Sequence, residues 1–132
     1  MSDALTDLFE TSTLQYLFTT GTPSPARPTS WYVGLFASGN APTDSASGTE
    51  ISGNNYARVS ATFSVSGNQA SNTATLTFPT ASGSWGSVTT AGIFDAQTSG
   101  NLIAYANLSN AKTIQNTDIL QIASGTLTVT LT

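Results

Sequence analysis

Short segments of alternating polarity fill the chain from residue 30 to its end, and turns rich in Gly, Asn and Ser separate them. The segment 57–65, ARVSATFSV, places Val, Ala, Phe and Val on one face and Ser and Thr on the other. This two-residue period is that of a β-strand, and it recurs in residues 74–78 and 126–132. The pattern predicts a mainly β fold, either an antiparallel β-sandwich or a jelly-roll-like barrel.

A continuous apolar run, WYVGLFA at 31–37, predicts a central strand that is buried on both faces. Residues 118–122 predict a further strand, and the final segment is expected to point Leu127, Val129 and Leu131 inward. The long irregular stretch 39–55 predicts a surface loop that only Ile51 anchors.

The stretch FDAQTSGNLI predicts a hairpin between strands 89–95 and 101–108. Its turn carries Gly100 and Asn101, two residue types that tolerate positive φ. Asp95 is expected to accept backbone N–H bonds and stabilise the turn. The hairpin therefore explains these residues without any chemistry.

One α-helix is predicted, over residues 2–20, with Ser2 as its N-cap and two aspartates near the positive end of its dipole. The following segment, TPSPARP, contains three prolines, which forbid a helix and favour an extended linker. We therefore expect two parts, an N-terminal helix and extended arm over 1–28 and a β-sandwich domain over 29–132.

Apolar residues of this helix recur at helical spacing and form a stripe. The stripe either packs on the sheet of the same chain or contacts a neighbouring subunit, and the sequence leaves both alternatives open. Arg27 in the linker and Arg58 in the sheet are further interface candidates, although a stacked or cross-strand pair with Tyr56 is the ordinary explanation of Arg58. The predicted partner interface comprises Leu5, Leu8, Phe9, Leu14, Leu17, Phe18, Arg27 and Arg58.

The chain lacks the residues that most catalytic and metal sites need, because it contains no Cys and no His. A two-carboxylate pair such as Glu50 with Asp95 is conceivable, yet both acids fall in predicted turns. The loop DSASGTE at 44–50 lacks the alternating acids of a calcium-binding loop. We predict no enzyme activity, no catalytic residues, no cofactor and no metal.

Charged residues make up only 8% of the chain, whereas about a quarter is usual. An uncharged surface is less costly to bury against another protein than a charged one. Three basic residues and a net charge of −4 disfavour nucleic-acid and membrane partners. The composition therefore favours an assembly role, although hydroxyl-rich β domains can also be soluble by themselves.

The order of several segments resembles a family of small tailed-phage virion proteins, commonly labelled tail fibre or structural proteins. The most specific segments are NYARV and FPTASGSWGSVTTAGIFDA followed by GNLIAYA, and the resemblance covers nearly the whole chain. It implies a structural role in the virion, with assembly in the bacterial host cytoplasm. The chain shows neither the internal repeats nor the heptads of a long fibre.

The resemblance and the composition together lead to two expectations for the role. The first is a capsid decoration (cement) protein that binds capsomers, with the major capsid protein as partner and a homotrimer as the preferred state. The second is a tail fibre or baseplate subunit with tail proteins as partners, in which the loops 39–55 and 97–100 face a receptor.

Overall fold

Antiparallel strands dominate the computed structural model, which describes residues 4–131. A single α-helix precedes most of the strands in this described part. The elements are β1 (Ala4–Leu5), α1 (Asp7–Phe18), β2 (Trp31–Ala37), β3 (Val59–Ala61), β4 (Phe63–Ser66), β5 (Gln69–Asn72), β6 (Leu76–Thr77), β7 (Gly86–Phe94), β8 (Leu102–Ile114), β9 (Gln121–Ile122) and β10 (Thr128–Thr130). The mainly β prediction is confirmed.

The strands form three antiparallel sheets. The largest has the order β1-β8-β7-β2-β3, a second has the order β10-β5-β4, and β6 pairs with β9. The main core contains apolar side chains of the large sheet, such as Val33 and Val88, together with Leu76, Ile122 and Leu127 from outside that sheet. The arrangement is sandwich-like and not a closed barrel.

The strand β2 lies inside the large sheet, as its apolar run predicts. It pairs with β7 along its length but with β3 only from Trp31 to Val33. Val33 and Leu35 join the main core, whereas Phe36 packs with Phe94 and Leu102 in a second cluster. Both faces of β2 are therefore covered, which explains why its sequence does not alternate.

Other strand predictions need correction. The predicted strand 57–65 is two short strands that are interrupted at Thr62, and the hairpin partner β5 was not predicted. The prediction of an inward Leu131 is wrong, since 51% of this residue is exposed. An alternating pattern does not show where a strand leaves the core, so it overestimates how far burial continues.

The helix begins later than predicted, at Asp7, and ends at Phe18. Residues 4–5 instead extend the large sheet, where Leu5 lies opposite Ala104. The predicted N-cap Ser2 lies outside the described residues, and Thr6 occupies the N-cap position. The Thr6 hydroxyl donates to the carbonyl oxygen of Leu102 at 2.8 Å and so anchors the helix start to β8.

Candidate interaction surface

The second half of helix α1 carries large apolar side chains that face solvent. Leu14, Leu17 and Phe18 are 58%, 61% and 79% exposed, whereas Phe9 and the polar Ser12 on the other side are buried. A helix that packs on its own domain normally does the opposite and buries its widest apolar stripe. We call Leu14, Leu17 and Phe18 the helix face.

The buried side of α1 is held by the proline segment that follows it. The Ser12 hydroxyl donates to the carbonyl oxygen of Pro25 at 2.7 Å, and the Ser24 amide donates to Oε1 of Gln15 at 2.8 Å. The segment that was predicted as an extended linker therefore folds back along the helix. The segment lies against this side of the helix and leaves the helix face uncovered.

Backbone hydrogen bonds fasten the start of α1 to strand β8 and to the loop 39–55. The Thr6 amide donates to the carbonyl oxygen of Ile103 and the Asp7 amide to that of Asp44, each at 2.9 Å. The division into residues 1–28 and 29–132 stays a prediction, and it would place these bonds between the two parts. The helix face thus stands on a segment that is anchored at its N-terminal end.

The remaining predicted interface residues lie in different surroundings. Leu8 is 46% exposed next to the helix start, and Leu5 is half-buried against the main core. Arg27 is exposed and borders a groove of about 330 Å³ between the helix and the proline segment. Phe9 is only 5% exposed, so it is packed between the helix and the rest of the chain and offers little area to a partner.

Arg58 lies away from the helix, in a polar cluster with Glu50. Its guanidinium donates to both carboxylate oxygens of Glu50, at 2.9 Å from Nε and 2.8 Å from Nη2. Nη1 donates to the carbonyl oxygens of Ala96 and Ser99, and the group lies 3.5 Å above the ring centre of Phe94. These contacts join the end of the loop 39–55 to the β7–β8 turn within one chain.

Tyr56 also belongs to this cluster. Beyond the end of the β3 pairing, it is the hydrogen-bond partner of β2 at Leu35. Its hydroxyl donates to Glu50 at 2.5 Å and accepts the Leu35 amide at 2.8 Å, while the Leu35 carbonyl accepts the amide of Ile51. Burial, followed by the hydrogen bond to Glu50 and its negative charge, raises the pKa of Tyr56. The hydroxyl therefore stays protonated and structural.

Gly34 makes room for the cluster in the middle of β2. A Cβ atom here would lie 2.9 Å from the Tyr56 hydroxyl oxygen and would collide with the Glu50 carboxylate. No real Cβ tolerates such distances, so any side chain would displace one of the two groups. The glycine in WYVGLFA is therefore explained by close packing rather than by a turn.

The other carboxylates that the sequence suggested are also engaged. Asp95 accepts the Asn101 amide at 2.7 Å, which confirms its predicted role in the turn. Asp44 accepts the hydroxyl of Tyr105 at 2.5 Å, and this hydrogen bond is the main cause that raises the pKa of Tyr105 to about 12. Within residues 4–131, no group of three or more acidic side chains could hold a metal ion.

A separate groove of about 450 Å³ opens beside the second half of β8. Asn107 pairs with Thr90 and Lys112 pairs with Val88. Four residues of β8, 108–111, therefore lie opposite one residue of β7, and this irregular pairing forms a large bulge. Apolar side chains such as Ile122 reach the groove from the core, and Lys112 stands at its exposed border. We call this concavity the β8 groove.

These features define a class of protein: a small, mainly β domain whose polar clusters are satisfied within the chain and whose helix exposes three large apolar side chains. No helix within the described residues is long and apolar enough to cross a membrane. A family model described as podophage GP4 fiber I protein gp80 matches residues 4–130. The chain belongs to this family of phage fibre proteins, which confirms the resemblance seen in the sequence. No curated protein matches it.

Sequence reasoning missed three features of the structure. Leu14, Leu17 and Phe18 lie on a different side of the helix from Phe9, but the sequence could not show that this side is exposed and that the side of Phe9 is buried. It also treated Glu50 as a turn residue, because the partners Tyr56 and Arg58 reach it only through the fold. The β8 groove depends on a bulge for which the sequence carries no clear signal.

Proposed function

We propose that the protein is a structural subunit of the phage tail fibre and that it attaches to neighbouring virion proteins through the helix face. Membership of a phage fibre family places it among virion structural proteins. The helix face supplies the specific support for attachment, because three adjacent large apolar side chains stand exposed on one helix. Contiguous exposed apolar residues of this kind typically mark protein interaction sites.

A structural and non-enzymatic role agrees with the chemistry of the described residues. Glu50 is bound by Arg58 and Tyr56, and Asp95 is bound by Asn101, so these acids act as anchors of loops. We infer that the chain has a structural role, which depends on its shape and its contact surfaces, and that it forms a homo-oligomer assembled in the host cytoplasm. The tail proteins are its proposed partners.

Labelling of intact virions tests this proposal. Antibodies against the purified protein, with gold detection in electron micrographs, are expected to mark the tail. Antibodies that mark the whole head surface would contradict the fibre role and support the decoration role, which predicts binding to the major capsid protein.

A second measurement tests the attachment surface. Virions assembled with the Phe18→Ser chain should carry less of this protein than virions assembled with the Val65→Ser chain. Val65 is a suitable control because it is 76% exposed on a different element. Equal incorporation of both variants would contradict attachment through the helix face.

A further inference from the structure

We propose that the helix face of one copy docks into the β8 groove of a second copy, so that the chains associate head to tail. This inference rests on the proposed role of the helix face as an assembly surface and names its partner. Both surfaces are uncovered within one chain, and they lie in different places. The helix starts beside residues 102–103 of β8, whereas the groove begins at Ala106, beyond the β1 pairing.

The two surfaces complement each other in polarity. The last turn of α1 carries Leu17 and Phe18 on its outside, and the groove is lined by the partly exposed Leu108 and by the edges of buried apolar side chains such as Ile122, between polar walls. A volume of about 450 Å³ lies within the range of about 300–1,000 Å³ that is usual for ligand pockets, so the groove has room for a few apolar side chains. It suits one turn of apolar side chains, not the full width of a helix, which is about 10–12 Å.

The two surfaces also complement each other in charge. The last turn of α1 contains no basic residue, so nothing within the helix offsets the negative end of its dipole. Lys112 borders the groove, and it has no ion pair or side-chain hydrogen bond within residues 4–131. No acidic residue lines the groove. Insertion of the helix end would bring the Lys112 ammonium group to the terminal carbonyl groups.

A head-to-tail contact has a structural consequence, because the two surfaces of each copy differ. Such contacts produce a closed ring when the rotation between copies closes, as in a trimer, and an open filament otherwise. Both outcomes agree with a chain that builds a fibre without containing repeats of its own.

The association of the purified full-length chain tests the inference. Analytical ultracentrifugation over a wide concentration range is expected to show oligomers of the wild-type chain. Phe18→Ser on the helix face, and Asn110→Trp with Lys112→Glu in the groove, should each lower the association constant by about tenfold or more, as hot-spot residues do. Val65→Ser is the matched surface control and should associate like wild type.

Mixing the two defective variants gives the sharpest result. A head-to-tail contact predicts that the Phe18→Ser copy still offers its groove and the groove variant still offers its helix. The mixture should therefore form one-to-one dimers and nothing larger, and circular dichroism should show that both variants are folded. A groove variant that associates like wild type, or a mixture that stays monomeric, would overturn the inference.

The proposed function can be separated from this inference. A monomeric wild-type chain would overturn head-to-tail association. If that monomer still required Phe18 for incorporation into virions, the helix face would remain an attachment surface whose partner is a different virion protein.

Discussion

Replacement of Arg58 by Met tests whether the internal polar cluster holds the loops together. Arg58 and Glu50 have side chains that are only 9% and 22% exposed. The variant keeps most of the apolar stem but removes the hydrogen bonds to Glu50, Ala96 and Ser99 and the charge above Phe94. Loss of one partner from a buried ion pair costs about 3–5 kcal/mol, because the other charge stays buried without compensation.

The expected effect is large enough for simple unfolding measurements. For a chain of this size, each kcal/mol lowers the melting temperature by roughly 3–5 °C, so Arg58→Met should melt roughly 10–20 °C below wild type. Urea unfolding should show the same loss in the free energy of unfolding with an unchanged slope. Arg58→Lys should recover only part of the loss, since an ammonium group cannot bind both carboxylate oxygens through a planar fork.

A double-mutant cycle with Glu50→Gln identifies the cause. If the unpaired carboxylate explains the loss, the double variant should be more stable than the sum of the two single losses predicts. A melting temperature of Arg58→Met within about 3 °C of wild type would refute the reasoning, because an effect of that size is typical of an exposed ion pair. Strict additivity in the cycle would also refute it.

Three further predictions concern other parts of the chain. The free energy of unfolding should fall as pH rises from about 10 towards 12. The reason is that Tyr105 loses its proton near pH 10 in the unfolded chain, whereas in the folded chain its hydroxyl donates to Asp44 and keeps the proton up to about pH 12. Urea unfolding of Tyr105→Phe should show a weaker alkaline decline, and parallel curves for the variant and the wild type would contradict this. Gly34→Ala should destabilise by about 1–3 kcal/mol through overpacking, whereas Gly21→Ala, where a Cβ meets nothing within 4 Å, should stay within about 0.5 kcal/mol of wild type. Phe18→Ser should leave the melting temperature within about 2–3 °C of wild type while it reduces binding of a hydrophobic dye, and a large loss of stability would show that Phe18 supports the fold.

The sequence predicted the strands whose burial follows from local pattern. The apolar run 31–37 and the hairpin around Asp95 appear in the structure because period and turn residues act within a few positions. The start of the helix was wrong because Ala4 and Leu5 pair with β8, a contact about a hundred positions away. Local propensity cannot register such a partner, and the pairing overrides it.

The orientation of the helix could not be predicted for a related reason. A stripe of leucines at helical spacing predicts that one side is covered, but the covering partner can be the same chain or another. Here the proline segment takes up the other side through Ser12 and Gln15, and it does so with hydrogen bonds. Tertiary contacts decide which side of the helix is buried, and this explains why the sequence left both alternatives open.

The contrast between a fully hydrogen-bonded interior and an exposed apolar helix face connects the orientation of the helix to the proposed function. Within residues 4–131, every buried side-chain nitrogen and oxygen has a hydrogen-bond partner. The polar groups of the interior are therefore satisfied by hydrogen bonds within the chain. The apolar area of Leu14, Leu17 and Phe18, by contrast, stays in water, and water penalises it by about 25 cal/mol for each Å². Burial of these side chains against another protein would remove this penalty, so the proposed attachment through the helix face has the same physical basis as the burial of the core.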